Sequence, residues 1–286
     1  MEATCDTTDD AWADEAPLAE RDETIISDSE NAYSVRSLAR GLAILRCFNV
    51  EHPEWGVAEL SRHLRLNKAT VYRLVKTLES EGFLSAGPAN GRYHVGSALL
   101  RVAFVALSNS RVRRIAKPYM ERLARETGES VDLAVWTEEG VLFIDQVLTS
   151  RPFKPVSSVG RVFSDYSNAH SKVFLAFMSE SELASALTRP LVPLTPFSIT
   201  SPQRLAAELR KVAAEGVAYD FQEQSEGVCA VAAPIRDPSG KPAASLAIVA
   251  PVSRFGPVEV PRLVASLKGT AAVISREMGY EQTPES

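Results

Sequence analysis

The sequence predicts an α+β chain in two folded parts: a small N-terminal domain of three helices closed by a β-hairpin, and a larger C-terminal domain mixing strand pairs with helices, the two joined by a linking helix. Three observations carry this. Apolar residues recur at helical spacing between about 34 and 78. Asn90-Gly91, between two short strand-like runs, is a hairpin signal. From Ser130 onward apolar strand runs and helical patterns alternate without the regular βαβ order of a Rossmann unit. The 286 residues, 45% hydrophobic and 23% charged, leave room for two domains at ~100–200 residues each.

In order, Val35, Leu38, Leu42, Ile44, Leu45 and Phe48 predict a first amphipathic helix over about 34–48, closed by His52-Pro53-Glu54. Val57, Leu60 and Leu64 mark a second helix. After Arg65-Leu66, Asn67 is a suitable N-cap for a third, with Val71, Leu74, Val75 and Leu78 as its inward stripe. Helix, tight turn, helix is the result, and Phe83-Leu84 with Arg92 to Val95 across the Asn90-Gly91 turn supplies a β-wing. A helical stretch through Leu99, Leu100, Phe104 and Leu107 links the domains, and a further helix follows Pro118.

The C-terminal part opens with a hairpin, Val131 to Trp136 and Val141 to Ile144. Helices are predicted at about 169–178, 181–187 and 202–214. A second strand pair, Ala230 to Ile235 and Ala243 to Ala250, turns at Asp237 to Gly240, and a last helix uses Val260, Leu263, Val264, Leu267, Ile274 and Met278. The expected limits are 1–30 for an acidic tail, 31–96 for the winged helix-turn-helix, 97–115 for the linker helix and 116–282 for the C-terminal domain.

Composition excludes several classes. The longest apolar runs are far short of the ~20 residues that span a bilayer, and the acidic N-terminus lacks an export signal. Cys5, Cys47 and Cys229 are odd in number and lack a CxxC pair, so no disulfide framework is expected and a reducing cytoplasm is the expected home. His52, His63, His94 and His170 fall on separate elements, and neither a metal site nor a cofactor is expected. Charge is unevenly distributed. Residues 1–30 hold eleven Asp/Glu and one Arg, a net of −10, and are expected to be disordered; residues 31–115 hold thirteen Lys/Arg and five Asp/Glu, a net of +8; residues 116–286 hold seventeen and twenty, a net of −3. A basic excess on so short a segment is the electrostatic footprint of a nucleic-acid-binding domain.

The third helix localises that footprint. In a helix-turn-helix the second helix enters the major groove, so its outer face must be polar. Lys68, Thr70, Tyr72, Arg73, Lys76 and Thr77 lie off the apolar stripe, the cations suited to phosphates and the hydroxyls to phosphates or base edges. A merely solvated face is the alternative. One recognition helix reads only a few base pairs, so a homodimer or tetramer on a palindromic operator is expected.

The residues then resemble a known family. SVRSLARGLAIL from Ser34 to Leu45, AELSR from Ala58, LNKATVYRL from Leu66, LESEGF from Leu78 and RYHVG from Arg92 are similar to the winged-helix domain of IclR-family bacterial transcriptional regulators. GVAYD from Gly216, Glu223 and GVCAVAAPI from Gly227 resemble that family's effector-domain signature. The resemblance implies a GAF-like effector-binding domain, and DNA contacts from Ser34, Arg36, Lys68, Ala69, Thr70, Tyr72, Arg73, Lys76, Asn90 and Arg92. It implies effector contacts from Asn168, His170, Asp220, Glu223, Gly227, Val228 and Ala230. SLARGL from Ser37 is similar to the branch that governs aromatic-acid catabolism, so an aromatic or other organic acid is the expected effector, met by His170 or by main-chain N–H groups near Gly227 to Ala230. The chain departs from the family pattern at Asn67, where Pro is common, at Ala69, where Ser or Thr is common, and at Ser164-Asp165 and Ser171.

Asp165, His170 and Ser171 have the residue types of a hydrolytic triad, but no G-x-S-x-G elbow surrounds Ser171, and no catalysis is expected. Asp220 and Glu223 can accept hydrogen bonds from an effector or act as loop caps; both readings stand at this point. The competing function class is a small-molecule sensor or enzyme whose N-terminal helices mediate protein contacts.

Overall fold

The computed structural model describes residues 35–87, 91–152, 154, 158–187 and 190–281. The expectations for the acidic segment 1–30, for Ser34 and for Asn90 lie outside the described residues. The chain divides into two compact units, Met1–Leu99 and Leu100–Ser286.

In the first unit, α1 (Arg36–Arg46), α2 (Val57–His63) and α3 (Lys68–Ser80) enclose a core of Ala43, Ile44, Leu60, Leu64, Val71 and Val75. The turn between α2 and α3 is closed locally: Ser61 Oγ donates to the Leu66 carbonyl at 2.7 Å, and Arg65 takes a left-handed φ of 53°. Asn67 is the cap its sequence position suggests, its side chain accepting from Ala69 N at 2.8 Å. Two expectations change. The segment after α1 is not only a helix stop: Glu54–Gly56 forms a strand, β1, that pairs with β3 (Arg92–Val95), whose other edge takes β2 (Leu84–Ala86). Trp55 secures it by donating from Nε1 to the Cys47 carbonyl at 2.9 Å. The inward stripe of α1 is also only partly right, because Val35, Leu38 and Leu42 are exposed while Gly41, Ala43 and Ile44 are buried. A three-helix core of this size has no room for a second face of α1. Gly96, where the wing returns, has no room for a side chain, since a Cβ there would stand 2.2 Å from the Gly82 carbonyl oxygen.

The linking segment is two helices, not one. α4 (Ser97–Asn109) ends at Ser110, whose side chain caps α5 (Arg111–Thr127). Pro118 therefore lies inside α5 and does not start it. The N–H that proline lacks is tolerated because Val112, Ala116, Met120, Leu123 and Ala124 are buried, and tertiary packing outweighs local propensity.

The second unit is built on a six-stranded antiparallel sheet ordered β6-β5-β4-β9-β8-β7. Its strands are β4 (Ser130–Thr137), β5 (Gly140–Val147), β6 (Val162–Phe163), β7 (Ala218–Phe221), β8 (Val228–Arg236) and β9 (Pro242–Pro251). Alternation assigns the two faces. Val131, Leu133, Val231, Ala233, Leu246 and Ile248 form the main core with α5 and α9 (Glu259–Met278). The opposite face carries Ala230, Ala232, Ala247 and Val249 and is covered by α6 (Ala169–Ala176) and α8 (Pro202–Glu215). A short helix, α7 (Glu180–Ala186), lies between these two in the chain.

Candidate DNA interface and effector face

α3 presents its polar residues as the sequence suggests. Val71 and Val75 are fully buried, while Lys68, Ala69, Tyr72, Arg73 and Lys76 are exposed and Thr70 is half-buried. Lys76 forms an i,i+3 pair with Glu79 at 2.5 Å, and Thr77 donates its hydroxyl to the Arg73 carbonyl. Lys68 and Arg73 are the two cations at the front of this face, and Arg36 is exposed at the first turn of α1. Arg92, half-exposed on the wing, has partners within the protein. Its guanidinium donates to Glu59 Oε1 at 3.1 Å and to the Glu54 carbonyl at 3.0 Å. Glu59 in turn accepts from Gly56 N at 2.9 Å. This hydrogen bond, with Arg92 adding to it, holds the Glu59 carboxyl below its ordinary pKa. Arg92 thus ties the wing to the start of α2, a role hidden in the sequence because its partner lies 33 residues away.

In the second unit the structure brings together most of the expected effector residues. Asn168 caps α6, its Oδ1 accepting from Ser171 N at 2.8 Å. His170 lies over the sheet with Nδ1 2.9 Å from Ser245 Oγ on β9 and its ring 4.8 Å from that of Phe143, edge on. Burial lowers its pKa to about 3, so the imidazole is neutral at physiological pH. Asp220 on β7 is directly opposite Ala230 on β8. Its Oδ1 accepts from the main chain of Glu223 at 2.7 Å and of Gln224 at 3.3 Å, which makes it a loop cap, and burial nonetheless pushes its carboxyl up to about 7. Of the two readings of Asp220, the loop cap is the one its hydrogen bonds display.

Glu223 is paired with Lys172, a fully buried lysine that sequence reasoning passed over. Lys172 Nζ donates to Glu223 Oε1 at 2.5 Å and to the Tyr219 carbonyl at 2.8 Å. The signal was a lone charged residue in a helix that otherwise carries only neutral side chains. A second missed group is Asp132, a carboxylate in the apolar run of β4. It accepts from Gln146 Nε2 at 2.6 Å, and burial raises its carboxyl to about 7.

One expectation is overturned. Gly227 was to offer main-chain donors, but its N–H donates to Gln222 Oε1 at 2.9 Å and that of Val228 to the Ser225 carbonyl at 3.3 Å. Ala230 lies on an interior strand whose N–H groups are used by the sheet. Gly227 instead supplies the turn, at φ 79°. Several buried polar atoms on this side have no partner: Gln146 Oε1, Asn168 Nδ2, His170 Nε2, Ser171 Oγ, Glu223 Oε2 and Gln224 Oε1. Buried polar groups are nearly always satisfied, so such a cluster marks a place that water or a ligand completes. The triad types do not form a relay, since His170 bonds Ser245 and Ser171 Oγ has no partner. Among the described residues no His/Cys/Asp/Glu group could hold a metal ion, and no helix is long and apolar enough to cross a membrane.

Known proteins share this architecture. The family model "IclR helix-turn-helix domain" matches residues 37–88, and "Bacterial transcriptional regulator IclR C-terminal" matches residues 104–276. The chain is 31% identical over 252 residues to the glycerol operon regulatory protein of Streptomyces griseus, spanning 87% of this chain and 98% of that one. It is 33% identical over 221 residues to the HTH-type transcriptional regulator Rv1719 of Mycobacterium tuberculosis, spanning 77% and 84%. The crystal structure of a transcriptional regulator from Alicyclobacillus acidocaldarius superimposes with a TM-score of 0.79 at 28% identity, over 86% of this chain and all of the other.

Proposed function

This chain belongs to the IclR family of bacterial transcriptional regulators, which are not enzymes, and from that premise we propose that it binds a palindromic operator as a homodimer or tetramer under the control of a small organic effector. The observation that carries the DNA reading is α3, which buries one side and leaves Lys68, Tyr72 and Arg73 in solvent with no structural task. Residues 31–96 carry these contacts, residues 116–282 hold the effector, and 97–115 link them. Self-association is supported by apolar surface without internal use: Leu38 on α1 is 62% exposed and Phe104 on α4 is 72% exposed, each within a run of similar neighbours. The effector lies on the sheet face under α6, touching Asn168, His170, Asp220, Glu223 and the β8 start at Gly227, Val228 and Ala230. A ligand that prefers one arrangement of the protein shifts its population, and operator affinity changes by the same factor in return.

The test is binding to the DNA upstream of its own gene and of the neighbouring genes, followed against salt. Arg73→Ala and Lys68→Ala should each weaken binding and reduce the salt slope by about one, with light scattering showing a dimer or larger. Unchanged affinity in both variants would refute the recognition-helix assignment, and a monomer with and without DNA would refute the assembly.

A further inference from the structure

We propose that the effector of this regulator is an uncharged polyhydroxylated molecule, a sugar alcohol or small sugar, and not the organic acid that the sequence suggests; this rests on reading the face under α6 as the effector site. The register of the sheet lays out its floor. Ser130, Val249, Ala230 and Asp220 form one row across β4, β9, β8 and β7, and Asp132, Ala247, Ala232 and Ala218 form the next. The middle is small and apolar. The polar groups stand at opposite ends, Asp132 with Gln146 on one side and Asp220 with Glu223 on the other, three strand spacings or about 14 Å apart along the sheet.

The chemistry of these ends decides the ligand class. Gln146 Oε1, Gln224 Oε1 and Glu223 Oε2 are unpaired acceptors, Asn168 Nδ2 is an unpaired donor, and Ser171 Oγ and the neutral His170 Nε2 can each donate or accept. Hydroxyl groups, which do both, satisfy such a set, whereas a carboxylate only accepts. An acid would need a cation or a cluster of free N–H groups. Lys172, the buried cation on this face among the described residues, is already held by Glu223 and the Tyr219 carbonyl, and the Gly227 N–H is held by Gln222. Three carboxyl groups, Asp132, Asp220 and Glu223, lie buried around the face, and Asp165, just before α6, is half-buried. A carboxylate placed among them would give up its water with no cation left to receive it, because Lys172 is already spent on Glu223.

The experiment is calorimetric titration of the full-length protein with glycerol, D-xylose, ribitol and D-mannitol, against glycerate, D-xylonate, D-mannonate and 4-hydroxybenzoate, with operator affinity measured alongside. A polyol should saturate one site per chain and change operator affinity, its matching acid binding about a hundredfold more weakly. Asp220→Asn, which keeps the cap acceptor and removes the charge, should narrow that gap by about tenfold, and His170→Ala should weaken the polyol by a similar factor. An acid that binds more tightly than every polyol, and that responds to Asp220→Asn or His170→Ala, overturns the ligand class and leaves the site standing. A ligand of either kind that binds wild type and both variants equally overturns the site itself. Silence of both panels at millimolar concentration also counts against the polyol class.

Discussion

α3 and α6 are both capped by an asparagine, Asn67 and Asn168, and both carry Lys and hydroxyl side chains, yet one leaves these in water and the other buries every residue from Ala169 to Leu175. A polar side chain on a solvated helix costs the fold little and stays free for a partner. The same side chain inside must be paired, or it is left unsatisfied until a ligand arrives. The local grammar of the two helices is alike; their surroundings leave the polar face of one open to solvent and pack the other over the sheet.

The contrast breaks most readily at Lys172. Lys172→Met leaves Glu223 buried without its partner and should cost about 3–5 kcal/mol in denaturant unfolding, with most of it restored in the double variant carrying Glu223→Leu. Arg73→Ala on α3 should change stability by less than about 0.5 kcal/mol. Similar losses at the two positions would end the distinction.

A second, smaller effect separates the regions by pH. The Asp132 carboxyl, raised by burial from 3.8 to about 7, keeps a proton in the folded chain that the unfolded chain has already released between about pH 4 and 7. Its contribution is fully present below that window and is lost as pH rises through it. Asp132→Asn should therefore gain stability relative to wild type across the window, by on the order of 1 kcal/mol per pH unit. His170, whose lowered pKa acts in the opposite direction, is common to both proteins and cancels in the difference. A difference that is flat from pH 4 to 8 would place the Asp132 carboxyl in water.

The smallest expected effect sharpens the comparison within the DNA-binding unit. Arg92 is half-exposed and paired with Glu59, so Arg92→Ala should cost about 0.5–1 kcal/mol of stability and little operator affinity, the reverse of Arg73→Ala. Thermal unfolding and operator titration of the two variants measure both quantities. An Arg92→Ala loss of affinity as large as that of Arg73→Ala would return the wing arginine to the phosphate contacts expected from sequence.

How much was legible follows from the range of the interactions. The N-terminal helices, the Asn67 cap, both strand pairs of the second unit and the long C-terminal helix were readable because each depends on residues within one or two turns or on strict alternation. β1 was missed because three residues after a proline carry almost no periodicity, and only pairing with β3 makes Glu54–Gly56 a strand. Pro118 misled because a local rule met a stronger tertiary one.

By itself the sequence determined the order of the elements and the cationic outer face of α3, since periodicity, capping and charge are written in neighbouring positions, while the candidate residues around α6 came from the family resemblance. Tertiary structure alone decided that Arg92 serves Glu59, that Lys172 is spent on Glu223, that the Gly227 N–H is spent on Gln222 and that Asp132 shares a face with Ala247. Each of these depends on which distant partner a side chain or N–H meets and on whether water remains beside it. That is a property of packing, in which a charge or donor keeps its identity and loses its freedom.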